Sequence, residues 1–240
     1  MISYRTFGRL TGTVYLIVVL TGIFTLGYAP SHLIVAGDGA ATVDAISNAM
    51  PLFRWSVVAA FVCYLAFLVL PILFYQLLHR HGPVAARLMV GLAVTSVPIM
   101  MVNLIHKVEI LSLVSGKSQP LAGDLPAAVM QHLHEYNSGV FVATLFWGAW
   151  LLPLGYLVFR SRVLPRLLGV FLMLGCLGYM LNFFGPLLAP GFAQTKLSDL
   201  ASIPSSIGEI GTCLWLLVMG ARQQPLRTED AASAPGPAEA

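Results

Sequence analysis

Six long apolar runs, separated by short polar, glycine- or proline-rich stretches, confine this chain to one kind of architecture. The runs fall at residues 10–28, 52–78, 84–114, 126–159, 165–188 and 205–219. A helix needs about 20 apolar residues to cross a bilayer. Inside hydrocarbon the backbone has no water to bond, so a spanning segment must satisfy its own N–H and C=O groups, as a helix does. The composition agrees: 58% of residues are hydrophobic and only 10% are charged, whereas a soluble domain carries about a quarter charged. The expected fold is therefore all-α: a polytopic membrane protein with six transmembrane helices in one bundle over residues 1–220. Residues 221–240, rich in Pro, Ala and acids, are expected to form a disordered cytoplasmic tail.

The first run follows Arg5 and Arg9, as in a signal peptide. It is longer than a usual signal h-region and no convincing A-x-A site follows at once, so it is read as a span. Arg5, Arg9, Arg80, Arg87, Arg160, Arg162, Arg166, Arg222 and Arg227 fall on one side of a six-span topology, while Arg54, Lys117 and Lys196 fall in or beside the opposite loops. By the positive-inside rule both termini face the cytoplasm. The expected location is the cytoplasmic (inner) membrane of a bacterium, with the lipid bilayer as the principal partner. Protein partners are not indicated, and the net charge of +3 is scattered between apolar runs, which gives no nucleic-acid patch. Cys63, Cys176 and Cys213 each lie alone inside an apolar run; they make neither a disulfide framework nor a zinc-ribbon spacing. Phosphate-binding loops, dinucleotide fingerprints and nucleophile elbows are absent from the sequence, and the residues do not say which cofactor, if any, is used.

Local signals refine the picture. Asp38 is placed to cap a short helix reaching Ala49, and Pro126 suits the first turn of the fourth span. Pro71 and Pro98 fall inside the second and third spans, where each removes a backbone donor. Gly8 and Gly12 form a G-x-x-x-G pair, a signal for close helix contact.

Several stretches, in order, resemble one bacterial membrane-protein family, catalogued as domain-of-unknown-function family 4386. They begin with Gly8-Arg9-Leu10-Thr11-Gly12-Thr13-Val14-Tyr15-Leu16, Thr21-Gly22-Ile23-Phe24 and Leu33-Ile34-Val35-Ala36-Gly37-Asp38. Leu133-His134-Glu135-Tyr136, Leu154-Gly155-Tyr156-Leu157 and Leu164-Pro165-Arg166-Leu167-Leu168-Gly169 follow. Leu177-Gly178-Tyr179, Ile207-Gly208-Glu209-Ile210 and Leu214-Trp215-Leu216-Leu217 complete the series. The resemblance covers nearly everything from Arg9 to Gly220. It implies the six-span topology and directs attention to His134 and Glu209, but brings no activity or substrate. The chain departs from the pattern at Asn182, where members often carry an aspartate.

Polar residues within the runs are costly in hydrocarbon and mark functional or structural sites. Asn103, His106, Lys107 and Glu109 occupy one arc of the third span at 100° per residue. The fourth span enters from the same end and carries His132, His134, Glu135 and Asn137. A rise of about 1.5 Å per residue puts Glu135 level with His106 and His132 level with Glu109. These two pairings are expected, with Asn103 near Ser138 and Glu209 entering the same layer from the sixth span. Three readings stay open. One is a polar pocket for protons or a small ligand, lined by these nine residues; imidazoles and carboxylates at such depth commonly relay protons. Another is a metal-dependent membrane enzyme using the same His/Glu cluster, although no ligand set is assigned. The third is a structural or partner-binding protein in which the cluster is an interhelical clasp. Whether the chain is an enzyme is left open.

Overall fold

The computed structural model describes residues 3–120, 123–189 and 191–222. The expected tail therefore lies, from residue 223 onward, outside the described residues. The fold is all-α, and six helical segments are long and apolar enough to cross a membrane: Tyr4–Leu33, Met50–His81, Pro83–Val114, Leu125–Ser161, Arg166–Leu188 and Lys196–Met219. The chain is a polytopic membrane protein. Among the described residues there is no β-strand.

The first span is α1 (Tyr4–Ile23), a five-residue π-turn (Phe24–Tyr28) and α2 (Ala29–Leu33). Ser3 caps α1 by accepting the Thr6 N–H. A short helix, α3 (Gly39–Asn48), follows, with Asp38 Oδ1 accepting the Ala41 N–H at 2.9 Å, as the capping signal indicated. The second and third spans are α4 (Met50–Leu78) and α5 (Pro83–Val114), joined by a tight turn at His79–His81.

The fourth span is two helices, α6 (Leu125–Ala149) and α7 (Leu151–Ser161). Pro153 has no N–H to give the carbonyl of Ala149, so the helix breaks there and resumes after Trp150. Asp124 caps α6 by accepting the Ala127 N–H at 3.1 Å, with Pro126 in the first turn.

The fifth and sixth spans are α8 (Arg166–Leu188) and α9 (Lys196–Met219). The sequence reading began the last span at residue 205, taking Pro204 as its boundary; the helix in fact starts at Lys196 and runs through Pro204. The reason lies in α8. Gly175 and Gly178 leave a trough in which the backbones of Ser205 and Ala201 lie so close that no Cβ fits at either glycine. Asn182 donates to Ser198 O and Ser202 Oγ, both at 3.1 Å. This zipper carries the helix past the proline.

The spans form a ring in chain order, closed by the packing of α1 on α9. That seam is tight at one end: Gly12 lies against the backbone of Leu216 and Leu217, and Gly8 against Ala221. Arg5 Nε donates to Met219 O at 3.1 Å and Arg9 Nη2 to Val218 O at 3.0 Å. We call this the basic end, and the end carrying α3 and the α5–α6 loop the far end. The core of the basic half is an aromatic cluster in which Trp150 meets Phe67 and Phe74 edge-on, and Phe74 meets Tyr15 likewise. At the far end Leu33, Ile46, Phe53, Ile110 and Leu133 make a second core, which α3 covers.

Candidate functional site: a histidine–glutamate triad and a buried lysine

The antiparallel pair α5–α6 brings His106, His132 and Glu135 together. His106 Nδ1 lies 3.0 Å from Glu135 Oε2, and His132 Nδ1 lies 3.1 Å from the same oxygen. The two Nδ1 atoms are 3.3 Å apart. Gln131 Nε2 donates to the other oxygen, Oε1, at 3.1 Å and so fixes the carboxylate plane. The side chains are about a quarter to a third exposed, 27% for each histidine and 37% for Glu135, so the site is open on one side.

The expected contact of His106 with Glu135 is thus present. The expected pairing of His132 with Glu109 is absent. His132 stands three residues before Glu135, on the same helix face, and its ring turns toward Glu135, so one carboxylate serves both imidazoles. Glu109 is half-buried and has no hydrogen-bond or ion-pair partner among the described residues. His134 and Asn137 are exposed on another face of α6 and do not join the triad.

Asn103 and Lys107 are buried one turn apart. Asn103 Nδ2 donates to Tyr136 O at 2.8 Å, whereas Ser138 was the expected neighbour. Gly139 makes this possible, because any Cβ there would overlap the Asn103 amide. Lys107 Nζ lies 2.9 Å from Thr25 Oγ1, 3.3 Å from Thr25 O and 4.7 Å from the centre of the Tyr136 ring. The chain chemistry explains the lysine. In the π register the carbonyl of Phe24 receives the N–H of Ala29, five residues on. The same register would give Thr25 O the N–H of residue 30, and residue 30 is proline. Lys107 replaces the missing donor. Thr25 Oγ1 in turn donates to Ser56 O at 2.9 Å, so one group ties α5 to the π-turn and the π-turn to α4.

Glu209 does not share this layer. It stands thirteen residues into α9, or about 20 Å from the Lys196 end, deeper than a helix beginning at 205 would have put it. Tyr15 Oη donates to Glu209 Oε2 at 3.5 Å, and Tyr179 is a second hydroxyl neighbour. Glu209 lines a cavity of about 260 Å³ between α1, α4, α8 and α9.

The model of one protein family matches residues 10–220, through all six spans. The chain belongs to that family, described as Domain of unknown function (DUF4386). No curated protein and no solved structure matches the chain.

Several residues that complete the sites of this DUF4386 chain carry weak sequence signals. Thr25 becomes visible only through Pro30 five residues later, once the register is known. Gln131 precedes Glu135 by one helical turn and reads as ordinary solvent-facing polarity. Tyr136 shares a helix face with His132 and Glu135 by periodicity; in the structure its ring carries Lys107, its carbonyl holds Asn103, and its hydroxyl meets that of Tyr64 at 3.5 Å. Among the described residues, His106, His132 and Glu135 are the one group of three His, Cys or acidic side chains whose ligand atoms converge, all within 4.8 Å.

Proposed function

We propose that this membrane protein binds a divalent transition-metal ion, zinc by best fit, through His106 Nδ1, His132 Nδ1 and Glu135 Oε2. The observation that carries the reading is the triangle of 3.0, 3.1 and 3.3 Å formed by these three atoms. With zinc bonds of about 2.0–2.1 Å, two ligands of a tetrahedron stand about 3.3 Å apart. The three atoms therefore form nearly one face of such a tetrahedron. Two imidazoles and a carboxylate are a donor set suited to zinc, and the fourth position faces the open side. Gln131 on the second carboxylate oxygen is the kind of neighbour that orients a ligand. An ion held this way binds a water or a small anion in its free position, and lowers the pKa of that water.

A second reading holds for another part of the cluster. Asn103 and Lys107 support the clasp: both are buried, and both satisfy backbone carbonyls of neighbouring spans. The location we propose is a bacterial cytoplasmic membrane with both termini in the cytoplasm, which the arginine asymmetry supports. The triad then lies in the outer half of the bundle.

Metal analysis of protein purified in detergent, followed by zinc titration of chelator-treated protein, tests the reading. Wild type is expected to bind one equivalent. His106→Ala and Glu135→Gln should abolish stoichiometric binding, and Gln131→Ala should weaken it by about 10–100-fold. Failure of the wild type to take up zinc, or undiminished uptake by His106→Ala, refutes the proposal.

A further inference from the structure

The seam between the first and last spans is tight at its basic end, where Gly8 and Gly12 meet the backbone of the last span and the residues that follow it. Beyond the contact of Tyr15 with Glu209 it opens into the 260 Å³ cavity, lined on this side by Ile23 of α1, Leu26 of the π-turn, and Ser206 and Ile210 of α9. Ile23 is 58% exposed and Ile210 43% exposed. Both helices are spans, so the mouth of the cavity faces lipid rather than water. Its inner wall is aromatic: Tyr15, Tyr64, Phe67, Trp147, Trp150 and Tyr179. Among the described residues that line it, Glu209 is the only charged one, and none is Lys, Arg or His.

A carboxyl group facing an apolar opening without a basic neighbour is an unusual arrangement, because a lone charge in hydrocarbon is costly. Aromatic rings attract cations through their faces, and cages of them recognise quaternary ammonium groups. One acid among six aromatic side chains is therefore complementary to a single organic cation whose bulk is apolar. The size agrees. Pockets that enclose whole drug-sized ligands measure about 300–1,000 Å³. At about 260 Å³ this one has room for a head group alone.

We propose that this cleft is a lateral binding site for a lipophilic organic cation, an alkylammonium amphiphile, which enters from the membrane and places its cationic head between Glu209 and the aromatic wall. The Glu209 carboxylate supplies the counter-charge. The Tyr15 hydroxyl, which donates to Glu209 in the structure, holds the carboxylate in place. The site is separate from the triad, with which it shares no residue.

Radiolabelled dodecyltrimethylammonium, titrated into protein in lipid nanodiscs with empty nanodiscs subtracted, tests the site. The comparison ligand is the neutral isostere in which carbon replaces nitrogen. Wild type is expected to bind the cation saturably and to prefer it to the isostere by about tenfold or more. Glu209→Gln should remove the preference. Gly22→Phe should remove binding itself. Gly22 lines the cleft, and a Cβ there meets only Cys63 Sγ, at 3.7 Å, with no backbone of another helix within 4 Å, so the position can carry a side chain into the cleft. If Glu209→Gln does not fold, Gly22→Phe decides alone. His106→Ala should bind the cation as wild type does. Equal binding of cation and isostere, or unaltered binding in Gly22→Phe, overturns the proposal.

Discussion

Replacing Lys107 by Met, Thr25 by Val, and both together measures the bond that holds the π-turn. Each single change leaves a polar group stranded. Without Lys107 the Thr25 carbonyl has no donor, because the residue five positions on is Pro30. Without the Thr25 hydroxyl the ammonium loses its 2.9 Å partner and Ser56 O loses a donor. An unsatisfied buried group costs about 1–3 kcal/mol, so each single variant should be destabilised by that order. The ammonium's own desolvation partly offsets the loss for Lys107→Met, since methionine fills the space without a charge. The coupling between the two sites is the sharper quantity. Interhelical hydrogen bonds in membranes average about 0.6 kcal/mol in double-mutant cycles. A charge-assisted bond is roughly twice as strong, which gives about 1.2 kcal/mol here. The assay is reversible unfolding of the four proteins in mixed micelles. Independent sites add to within about 0.3–0.5 kcal/mol, so a coupling below that range would mean that Lys107 gains nothing from the Thr25 hydroxyl; the bond to the Thr25 carbonyl, which valine keeps, is read from Lys107→Met alone.

Reporter fusions check the orientation: one placed after Arg222 should report cytoplasm, and one within residues 115–123 the opposite side, while the reverse pattern contradicts the arginine argument. Gly12→Ala tests the seam at the basic end. The added Cβ would press on the backbone of Leu216 and Leu217, so the variant should lose about 1–3 kcal/mol in the same unfolding assay; an unchanged value would mean that the helices separate freely.

The number of spans was legible because hydrocarbon imposes one requirement on every residue of a run. Boundaries were less so. Residues 189–204 were read as a loop before the sixth span, but what decided the matter was the trough at Gly175 and Gly178, a property of the neighbouring helix. The break at Trp150 was hidden by the opposite effect: Pro153 lies in an apolar run that hydropathy alone treats as continuous. The π-turn left no periodicity to read. Its trace is the spacing of Thr25 and Pro30 and a lysine on another span, and only the fold brings these together.

The candidate site was legible where a depth argument sufficed. His106 and Glu135 sit at comparable distances from their helix ends, and the hairpin joins them. Depth says nothing of rotation, so it gave no reason for His132 to choose Glu135 over Glu109. Nor could it separate Asn103 and Lys107, which turn into the bundle, from His106, which turns to the open side.

Glu209 was drawn into the same layer because all intramembrane polar groups were expected to seek one another. Its partners are instead hydroxyls, Tyr15 and Tyr179, which satisfy a carboxylate without a second charge. Tyr136 joins the triad to the cleft: it follows Glu135 in sequence, and its hydroxyl faces Tyr64 in the cleft wall. Tyr136 is itself fixed twice, by Asn103 at its carbonyl and by Lys107 over its ring. Coupling between distant sites needs an element with two arrangements, and a residue held at both its backbone and its ring offers only one. The two sites should therefore fill independently, with zinc leaving the affinity for the organic cation unchanged. That independence is what makes His106→Ala a clean control for the cleft.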